Sequence, residues 1–277
     1  MTVNRLIDGV EDVMLRFGTL RDDHLAGRGS DDFMFGFAGN DRLTGREGFD
    51  SLFGGAGHDE LFGGRGNDNL YGGRGDDVLH GDDGLQTAKG GDLGSDHLVG
   101  GSGADKLHVG DGNDTLTGGA GKDSFHFKWS DPMVALAAGA GPAFASITDY
   151  EPGKDRMVFD AAGVGRDARD ANFINNSGRA NGGEAESFFR GAGSASNGEA
   201  VMMLTDRAFA SGLEAVGAAK GEARGDFVLY YNSTVNVASL LVVDGPDAAH
   251  SIARFTDINS LEEFRASDFS ASDFMFA

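Results

Sequence analysis

Aspartate recurs at nine-residue intervals through the first half of the chain, with one interval of nineteen. The series is Asp23, Asp32, Asp41, Asp50, Asp59, Asp68, Asp77, Asp96, Asp105, Asp114 and Asp123. The segments between these residues are rich in glycine, which permits tight turns with inward-facing carbonyl groups. Carboxylate and carbonyl oxygens are ligands for hard metal cations. The pattern therefore points to bound cations along residues 18–126.

A large apolar residue stands two places after each of these aspartates. This second series is Leu25, Met34, Leu43, Leu52, Leu61, Leu70, Leu79, Leu98, Leu107, Leu116 and Phe125. Cut from Gly18, the chain repeats a nine-residue unit with aspartate at position 6 and an apolar residue at position 8. The first six positions favour a tight turn, and the last three are long enough for a short strand. Because side chains alternate along a strand, position 8 points inward and positions 7 and 9 point outward.

These units resemble GGxGxDxUx, the calcium-binding nonapeptide of RTX proteins. The resemblance implies an all-β fold, with a right-handed parallel β-roll over residues 18–126 in which two units complete one turn of the coil. It implies that calcium ions lie between the loops of units n and n+2, held by position-6 carboxylates and backbone carbonyls. All the aspartates of the series are therefore candidate metal ligands. The implied pairs are Asp32 with Asp50, Asp41 with Asp59, Asp50 with Asp68, Asp59 with Asp77 and, in a second block, Asp96 with Asp114 and Asp105 with Asp123. The glycines expected to contribute are Gly54, Gly57, Gly63, Gly66, Gly72 and Gly75.

The repeat is interrupted once and is imperfect at its start. In residues 81–90 the unit is one residue too long, and Gln86 and Ala88 stand where aspartate and leucine are expected. We expect a bulge or small loop there, with a weakened site between the two blocks. In the first unit Thr19 and Leu20 replace the second glycine and its neighbour. That departure suits a terminal turn, with residues 1–17 as an N-terminal cap.

The composition favours a fold that depends on a cation. The chain carries 44 acidic and 23 basic residues, for a net charge of -21. This charge opposes binding to nucleic acids, which are polyanions. Glycine supplies 46 of the 277 residues, and cysteine, which could form disulfides, is absent. A core one apolar side chain thick cannot offset the backbone entropy lost on ordering the repeats, so we expect this segment to fold only with calcium.

The C-terminal half, residues 127–277, is expected to be a β-rich domain that caps the roll. Segments rich in β-branched and apolar residues predict strands at 156–160, 201–204, 226–231, 237–243 and 251–258, and residues 208–220 favour a short helix. Residues 147–160 resemble the segment that follows the roll in serralysin-type proteases. That resemblance makes Asp149 and Asp155 candidate further ligands, with a charged hairpin as the equal alternative.

The two ends of the sequence bear on export. The first twenty residues contain Asp8, Glu11 and Asp12 and no apolar run of seven, which is not the pattern of a secretory signal peptide. No stretch approaches the eighteen apolar residues of a transmembrane segment. The final residues, SDFSASDFMFA, resemble the C-terminal signal of type I secretion, which we place at about 220–277. We therefore expect an extracellular protein that is exported by type I secretion machinery.

Motifs of the enzymes that carry such repeats are absent from the sequence. There is neither the HExxH helix of zinc proteases nor the GxSxG elbow of lipases, so we expect no enzymatic activity. The preferred function is a secreted calcium-binding matrix, surface or host-interaction factor with a cell-surface or polysaccharide partner. Two alternatives stay open: a membrane-active, pore-forming toxin-like protein, and an enzyme with an unrecognised site in residues 127–277.

Overall fold

The computed structural model describes residues 5–6, 13–82, 94–110, 112–127, 144–159, 183–184, 188–195, 201–219, 226–245 and 248–276. The chain divides into two compact units, residues 1–127 and 128–277. Strands predominate in both units, which confirms the all-β prediction.

The first compact unit, residues 1–127, consists of short strands separated by turns. They are β1 (Arg5–Leu6), β2 (Met14–Phe17), β3 (His24–Ala26), β4 (Asp32–Ala38), β5 (Arg42–Glu47), β6 (Ser51–Ala56), β7 (Glu60–Arg65), β8 (Asn69–Arg74), β9 (Val78–His80), β10 (His97–Ser102), β11 (Lys106–Val109), β12 (Thr115–Ala120) and β13 (Ser124–Phe127). Most strands occupy positions 7 to 9 of one unit and run into the first glycines of the next. The turns fall at positions 4 to 6, where the aspartates lie.

Successive strands alternate between two sheets. One sheet has the order β1-β2-β4-β6-β8-β10-β12, and the other has β3-β5-β7-β9-β11-β13. All neighbours are parallel except β1, which pairs with β2 in the antiparallel direction. The register places equivalent positions opposite each other, such as Leu52 with Leu70 and Leu43 with Leu61. Two units therefore complete one turn of the coil, which confirms the parallel β-roll.

The space between the two sheets holds a single file of apolar side chains. The position-8 residues from Leu25 to Phe125 are all buried, with exposed fractions of 4% or less. On the outer faces, position-9 side chains form stacks of rings. Phe35 and Phe53 lie 4.8 Å apart between ring centroids, and His80 and His108 lie 4.0 Å apart. The core is thus one residue wide, while the ring stacks add contacts outside it.

The second unit has longer strands and two short helices. Its strands are β14 (Ala145–Ile147), β15 (Arg156–Phe159), β16 (Gly183–Glu184), β17 (Phe188–Gly191), β18 (Val201–Phe209), β19 (Phe227–Asn232), β20 (Val237–Gly245), β21 (Ala248–Phe255) and β22 (Phe274–Phe276), and its helices are α1 (Gly212–Ala218) and α2 (Leu261–Ala266). Within this unit the strand orders are β14-β21-β20-β19-β18-β17 and β16-β22-β15. Every segment predicted to be a strand contains one, and α1 lies inside the predicted helical range.

Helix α1 covers an apolar cluster on the larger of these sheets. The buried members of the cluster are Met202, Leu204, Phe209, Ala215, Val216, Ala219, Val228, Tyr230, Leu241 and Val243. Ser211 begins the helix by accepting a hydrogen bond from the backbone N–H of Glu214 at 3.2 Å, which is a typical N-cap contact. None of the helices in the described ranges is long and apolar enough to cross a membrane.

Candidate calcium sites

The position-6 aspartates form two columns, one along each edge of the roll. Asp32, Asp50, Asp68, Asp96 and Asp114 share one edge, and Asp23, Asp41, Asp59, Asp77, Asp105 and Asp123 share the other. All except Asp23 are buried, with exposed fractions of 2% or less. Burial of so many carboxylates is costly unless each is paired or binds a metal ion.

After the first aspartate of each column, one oxygen of every carboxylate links consecutive turns of the coil. The backbone N–H of Asp41 donates to Oδ1 of Asp59 at 2.8 Å, and that of Asp59 donates to Oδ1 of Asp77 at 2.8 Å. The same contact occurs in the other column, where the N–H of Asp32 donates to Oδ1 of Asp50 at 2.7 Å. Each aspartate pair implied by the sequence is therefore adjacent in the structure.

The other oxygen, Oδ2, lacks a hydrogen bond in most turns. Among the described residues, this holds for the buried Oδ2 atoms of Asp41, Asp50, Asp59, Asp68, Asp77, Asp96 and Asp105. A buried carboxylate oxygen without a donor is strongly disfavoured unless a cation supplies the missing interaction. These atoms therefore identify where a cation would bind.

Glycine at position 1 forms the corner that faces each Oδ2. A Cβ atom built on Gly36 would overlap Oδ2 of Asp41 and lie 2.6 Å from the carbonyl oxygen of Gly54, one turn later. Gly72 has the same relation to Asp77, with the carbonyl of the next turn at 2.7 Å from the added Cβ. Carboxylate and carbonyl oxygens thus converge at a corner that any side chain would fill. This donor set fits calcium, which takes six to eight oxygen ligands.

Glycine at position 4 allows close approach of successive turns. Gly57, Gly66 and Gly75 have φ values of 142°, 117° and 116°, in the left-handed region that favours glycine. A Cβ on Gly75 would overlap the carbonyl oxygen of Gly57. The position-4 carbonyls of one turn therefore point at the backbone of the next. Both sets of predicted glycines, at positions 1 and 4, lie beside the aspartate columns.

Burial raises the pKa of these carboxyl groups. The pKa of Asp50 is raised to about 8 and that of Asp77 to about 7, with neighbouring carboxylates in the same column adding to the effect of burial. The pKa of Asp96 is raised to about 9, and its main causes are burial and the charge of Asp114. The turns thus hold acids that resist ionisation without a nearby positive charge, and a divalent cation supplies that charge.

Comparison with known families agrees with this geometry. The RTX calcium-binding nonapeptide repeat, in a family model of four copies, matches residues 17–52, 53–84 and 90–125. Residues 17–125 of this chain are RTX calcium-binding repeats. Its repeats bind calcium ions, as the members of that repeat family do.

A curated relative of this RTX chain is nodulation protein O of Rhizobium leguminosarum bv. viciae, which is 34% identical over 149 residues. The alignment covers 50% of this chain and 51% of the relative, so the chain spans about half the length of that protein.

The RTX roll is not divided into two blocks, contrary to the prediction from the sequence. Strand β10 pairs in register with β8, and β11 pairs in register with β9. The columns also continue: the N–H groups of Asp68 and Asp77 donate to the Oδ1 atoms of Asp96 and Asp105, both at 2.8 Å. Strand pairing and both aspartate columns therefore continue from β8 and β9 to β10 and β11 without a gap.

The extra residues enter inside a turn. A Cβ on Gly81 would overlap Oδ2 of Asp96, so Gly81 serves as position 1 of the unit to which Asp96 belongs, and Gly94 takes position 4. Residues 83–93 thus stand where other units have one residue. The break between blocks was predicted wrongly, because residues 81–90 were aligned as a separate unit. The expected loop, including Gln86, lies outside the described residues.

No cluster of three or more acidic or histidine side chains that could hold a metal ion occurs in the part of the RTX chain that the structure describes.

The two candidate ligands outside the roll have contacts within the second unit. Oδ2 of Asp155 accepts the backbone N–H of Glu151 at 2.8 Å and so closes a turn. Asp149 lies near Asp257, whose pKa is raised by burial and, to a smaller extent, by the Asp149 charge. A role of Asp149 and Asp155 in calcium binding stays a prediction.

One buried acid escaped the sequence analysis. Asp273 was grouped with the apolar residues of the C-terminal signal, yet it is fully buried. Its Oδ1 accepts hydrogen bonds from the Gly153 N–H at 2.7 Å and the Tyr150 hydroxyl at 3.2 Å, and its Oδ2 accepts from the Ser270 N–H at 2.8 Å. The capping-box spacing of Ser270 and Asp273 is the sequence signal that could have revealed this role.

Proposed function

We propose that this RTX protein folds when it binds calcium outside the cell, and that the folded chain is a surface, matrix or host-interaction factor without enzymatic activity. The observation that carries the proposal is the pair of aspartate columns, in which buried Oδ2 atoms lack hydrogen bonds and face glycine corners. Position-6 aspartates and backbone carbonyls at positions 1 and 4 would hold the ions. Calcium would neutralise the buried charge and join consecutive turns.

The dependence of folding on calcium follows from the balance of energies in the roll. Each nine-residue unit after the first buries one apolar side chain and one carboxylate. The apolar side chain favours folding, whereas the carboxylate opposes it until a cation is bound. A ligand that binds only the folded state stabilises that state in proportion to the logarithm of its concentration. Several ions in one cooperative ladder make the response steep.

Export by a type I system fits this dependence. Extracellular calcium modules bind at about 10⁻⁴ to 10⁻³ M, far above the calcium concentrations that cytosolic sensors detect. The roll would therefore stay unfolded inside the cell, in a form that a transporter can thread, and would fold after release. The resemblance of residues 220–277 to a type I signal supports the same route.

The role at a surface rests on the named relative. That protein is named for nodulation, and it aligns with half of this chain. We propose that this chain, too, acts between a cell and its surroundings, with a cell-surface or polysaccharide partner. A net charge of -21 disfavours direct binding to anionic surfaces unless bound calcium bridges the two.

Circular dichroism of the full chain tests the folding step. We expect a β spectrum and a compact hydrodynamic radius in excess calcium, and an expanded, largely unstructured roll in excess chelator. Magnesium at the same concentration is the control, and it should not replace calcium because it demands a smaller octahedral site. An unchanged spectrum and radius in chelator would contradict the proposal.

A secretion assay tests the route. In a strain with a type I exporter, deletion of residues 220–277 should abolish the appearance of the protein in the medium. Deletion of residues 2–17 should leave export largely intact. The reverse result would overturn the assignment of the signal, whereas the calcium-binding roll would stand.

A further inference from the structure

The first turn of the roll differs from the later turns in the hydrogen bonds of its aspartate. Oδ2 of Asp23 accepts the backbone N–H of Thr19 at 2.6 Å and the hydroxyl of Thr19 at 2.8 Å. In the next turn of the same column, the equivalent Oδ2 of Asp41 has no hydrogen-bond partner among the described residues. Thr19 occupies position 2 of the nine-residue repeat that contains Asp23. In the repeat that contains Asp41, Phe37 occupies this position.

The backbone at position 2 explains part of this difference. Phe37, Arg46 and Gly55 have φ values of 78°, 94° and 119°, and Gly64 has 117°. Thr19 does not have a positive φ. The positive φ at Phe37 and Arg46 is unfavourable for a residue with a side chain, so the surrounding ladder must enforce it. The first turn lacks this conformation, and its N–H meets the carboxylate instead.

The oxygen atoms at the first turn are otherwise arranged as in the later ones. A Cβ on Gly18 would lie 2.7 Å from the carbonyl oxygen of Gly36 and 3.0 Å from Oδ2 of Asp23. The carboxylate and the next-turn carbonyl therefore converge there too. What distinguishes this turn is the pair of donors from Thr19, which are charge-assisted hydrogen bonds to a single oxygen. A cation at this corner would have to displace both.

We infer that the Asp23 turn binds no calcium and that Thr19 fills the place of the ion, so that ion binding in this column begins at Asp41. This inference rests on the proposed calcium-dependent folding, and it limits calcium binding in this column to Asp41 and the aspartates that follow it. Asp23 is also partly exposed, unlike the other aspartates of its column, so water shares in balancing its charge. Thr19 and Asp23 together would terminate the column of ion-binding turns without a further ion.

Two matched substitutions test the inference, Asp23→Asn and Asp41→Asn. Both make the same chemical change in the same column, one turn apart. At Asp41, asparagine retains the oxygen that accepts the Asp23 N–H and replaces Oδ2 with an amide group. At Asp23, the asparagine oxygen can take the place of the oxygen that accepts from Thr19. Isothermal titration of the full chain with calcium should give the wild-type number of ions for Asp23→Asn and at least one fewer for Asp41→Asn.

The dependence of the unfolding temperature on calcium gives a second readout that does not require the variants to be equally stable. A lost ion reduces the slope of this temperature against the logarithm of calcium concentration. We expect Asp23→Asn to run parallel to the wild type, even if it unfolds at a lower temperature, and Asp41→Asn to have a smaller slope. An equal loss of ions or of slope in the two variants would overturn the inference. A wild-type slope of zero would instead refute the proposed calcium-dependent folding.

Discussion

The two units of the chain are both built from strands, yet they bury very different residues. In the roll, each buried position-8 side chain after Leu25 is accompanied by a buried aspartate. In the second unit, the cluster beneath α1 contains only apolar and aromatic residues, and the larger sheet contains long strands such as β18 and β20. Buried aspartates of the second unit such as Asp273 accept hydrogen bonds from the protein, so hydrophobic burial can stabilise this unit, whereas the roll needs a partner for its carboxylates. The roll and the second unit therefore have similar secondary structure but different sources of stability.

Removal of calcium should separate the two units most clearly. In excess chelator, we expect amide hydrogens in β3 to β13 to lose their protection from exchange, while those in β18 to β21 keep most of theirs. Hydrogen exchange with mass spectrometry resolves the two regions in one sample. Equal loss of protection in both would mean that the second unit also depends on the ions, and the comparison would fail.

A single interior carboxylate should have the next largest effect. Asp59→Asn replaces a buried Oδ2 that lacks a hydrogen bond. It should destabilise the calcium-bound fold by about 1.5–3 kcal/mol and raise the calcium concentration at the folding midpoint by a few fold, because several ions share the change in free energy. Glu60→Gln is the control: it makes the same change in charge one residue away, at an exposed side chain that pairs with Arg42. Exposed ion pairs contribute about 0–1 kcal/mol, so the midpoint should shift little. Similar shifts for the two variants would show that net charge, and not the column, determines calcium binding.

Lowering the pH should affect the stability of the roll more than that of the second unit. The raised pKa values of Asp50, Asp77 and Asp96, to about 8, 7 and 9, mean that the ion-free folded roll binds more protons than the unfolded chain. This contribution favours the ion-free fold fully below the unfolded pKa of about 4 and is lost as the pH rises through the folded values. At neutral pH the ion-free roll is unfolded, so its carboxyl groups have ordinary pKa values of about 4 and are ionised before calcium binds.

The apparent calcium affinity should therefore fall as the pH is lowered from about 6 to about 4, and binding should release protons within this range. Titration in weak buffers of different ionisation enthalpy measures the released protons. Calcium binding that is independent of pH down to about 4 would contradict ligation by these carboxylates, and proton release near pH 7 would mean that the ion-free roll is folded and holds protonated carboxyl groups.

Removal of the extra residues between Asp82 and Leu93 should have the smallest effect on calcium binding and on stability. Deletion of residues 83–92 leaves a unit of ordinary length, from Gly81 to Val99, and we expect the number of ions to stay the same. The free energy of unfolding should change by about 0.5 kcal/mol or less, as for other surface changes, with shorter turns slightly favoured by loop entropy. Deletion of residues 54–62, a complete unit, is the control: it removes Asp59 and moves every later strand to the opposite sheet, so the number of bound ions should fall. A severe loss of calcium binding in the first variant would contradict the continuous ladder.

The sequence predicted the parallel coil, the pairing of aspartates and the inward-facing leucines because each depends on spacing alone. It failed at residues 81–90, where Gly90 and Gly91 imitate the start of a new unit. Only the position of Gly81 beside Asp96 shows that the insertion lies within a turn. Spacing likewise cannot distinguish Asp23 from its successors, because the difference lies in backbone torsion and in the donors of Thr19. The fully buried Asp273 was missed because its hydrogen-bond partners come from distant parts of the chain.

The eighteen-residue register also determines how such a roll can change in length during evolution. Duplication of two consecutive units would add one strand to each sheet and extend the roll by about 4.8 Å, the spacing between neighbouring strands. Every downstream side chain would keep its sheet and its column. Duplication of a single nine-residue unit would move every later strand to the opposite sheet and every later aspartate to the opposite column. Growth in pairs is therefore the tolerated step, whereas additions of any length can enter at the turns.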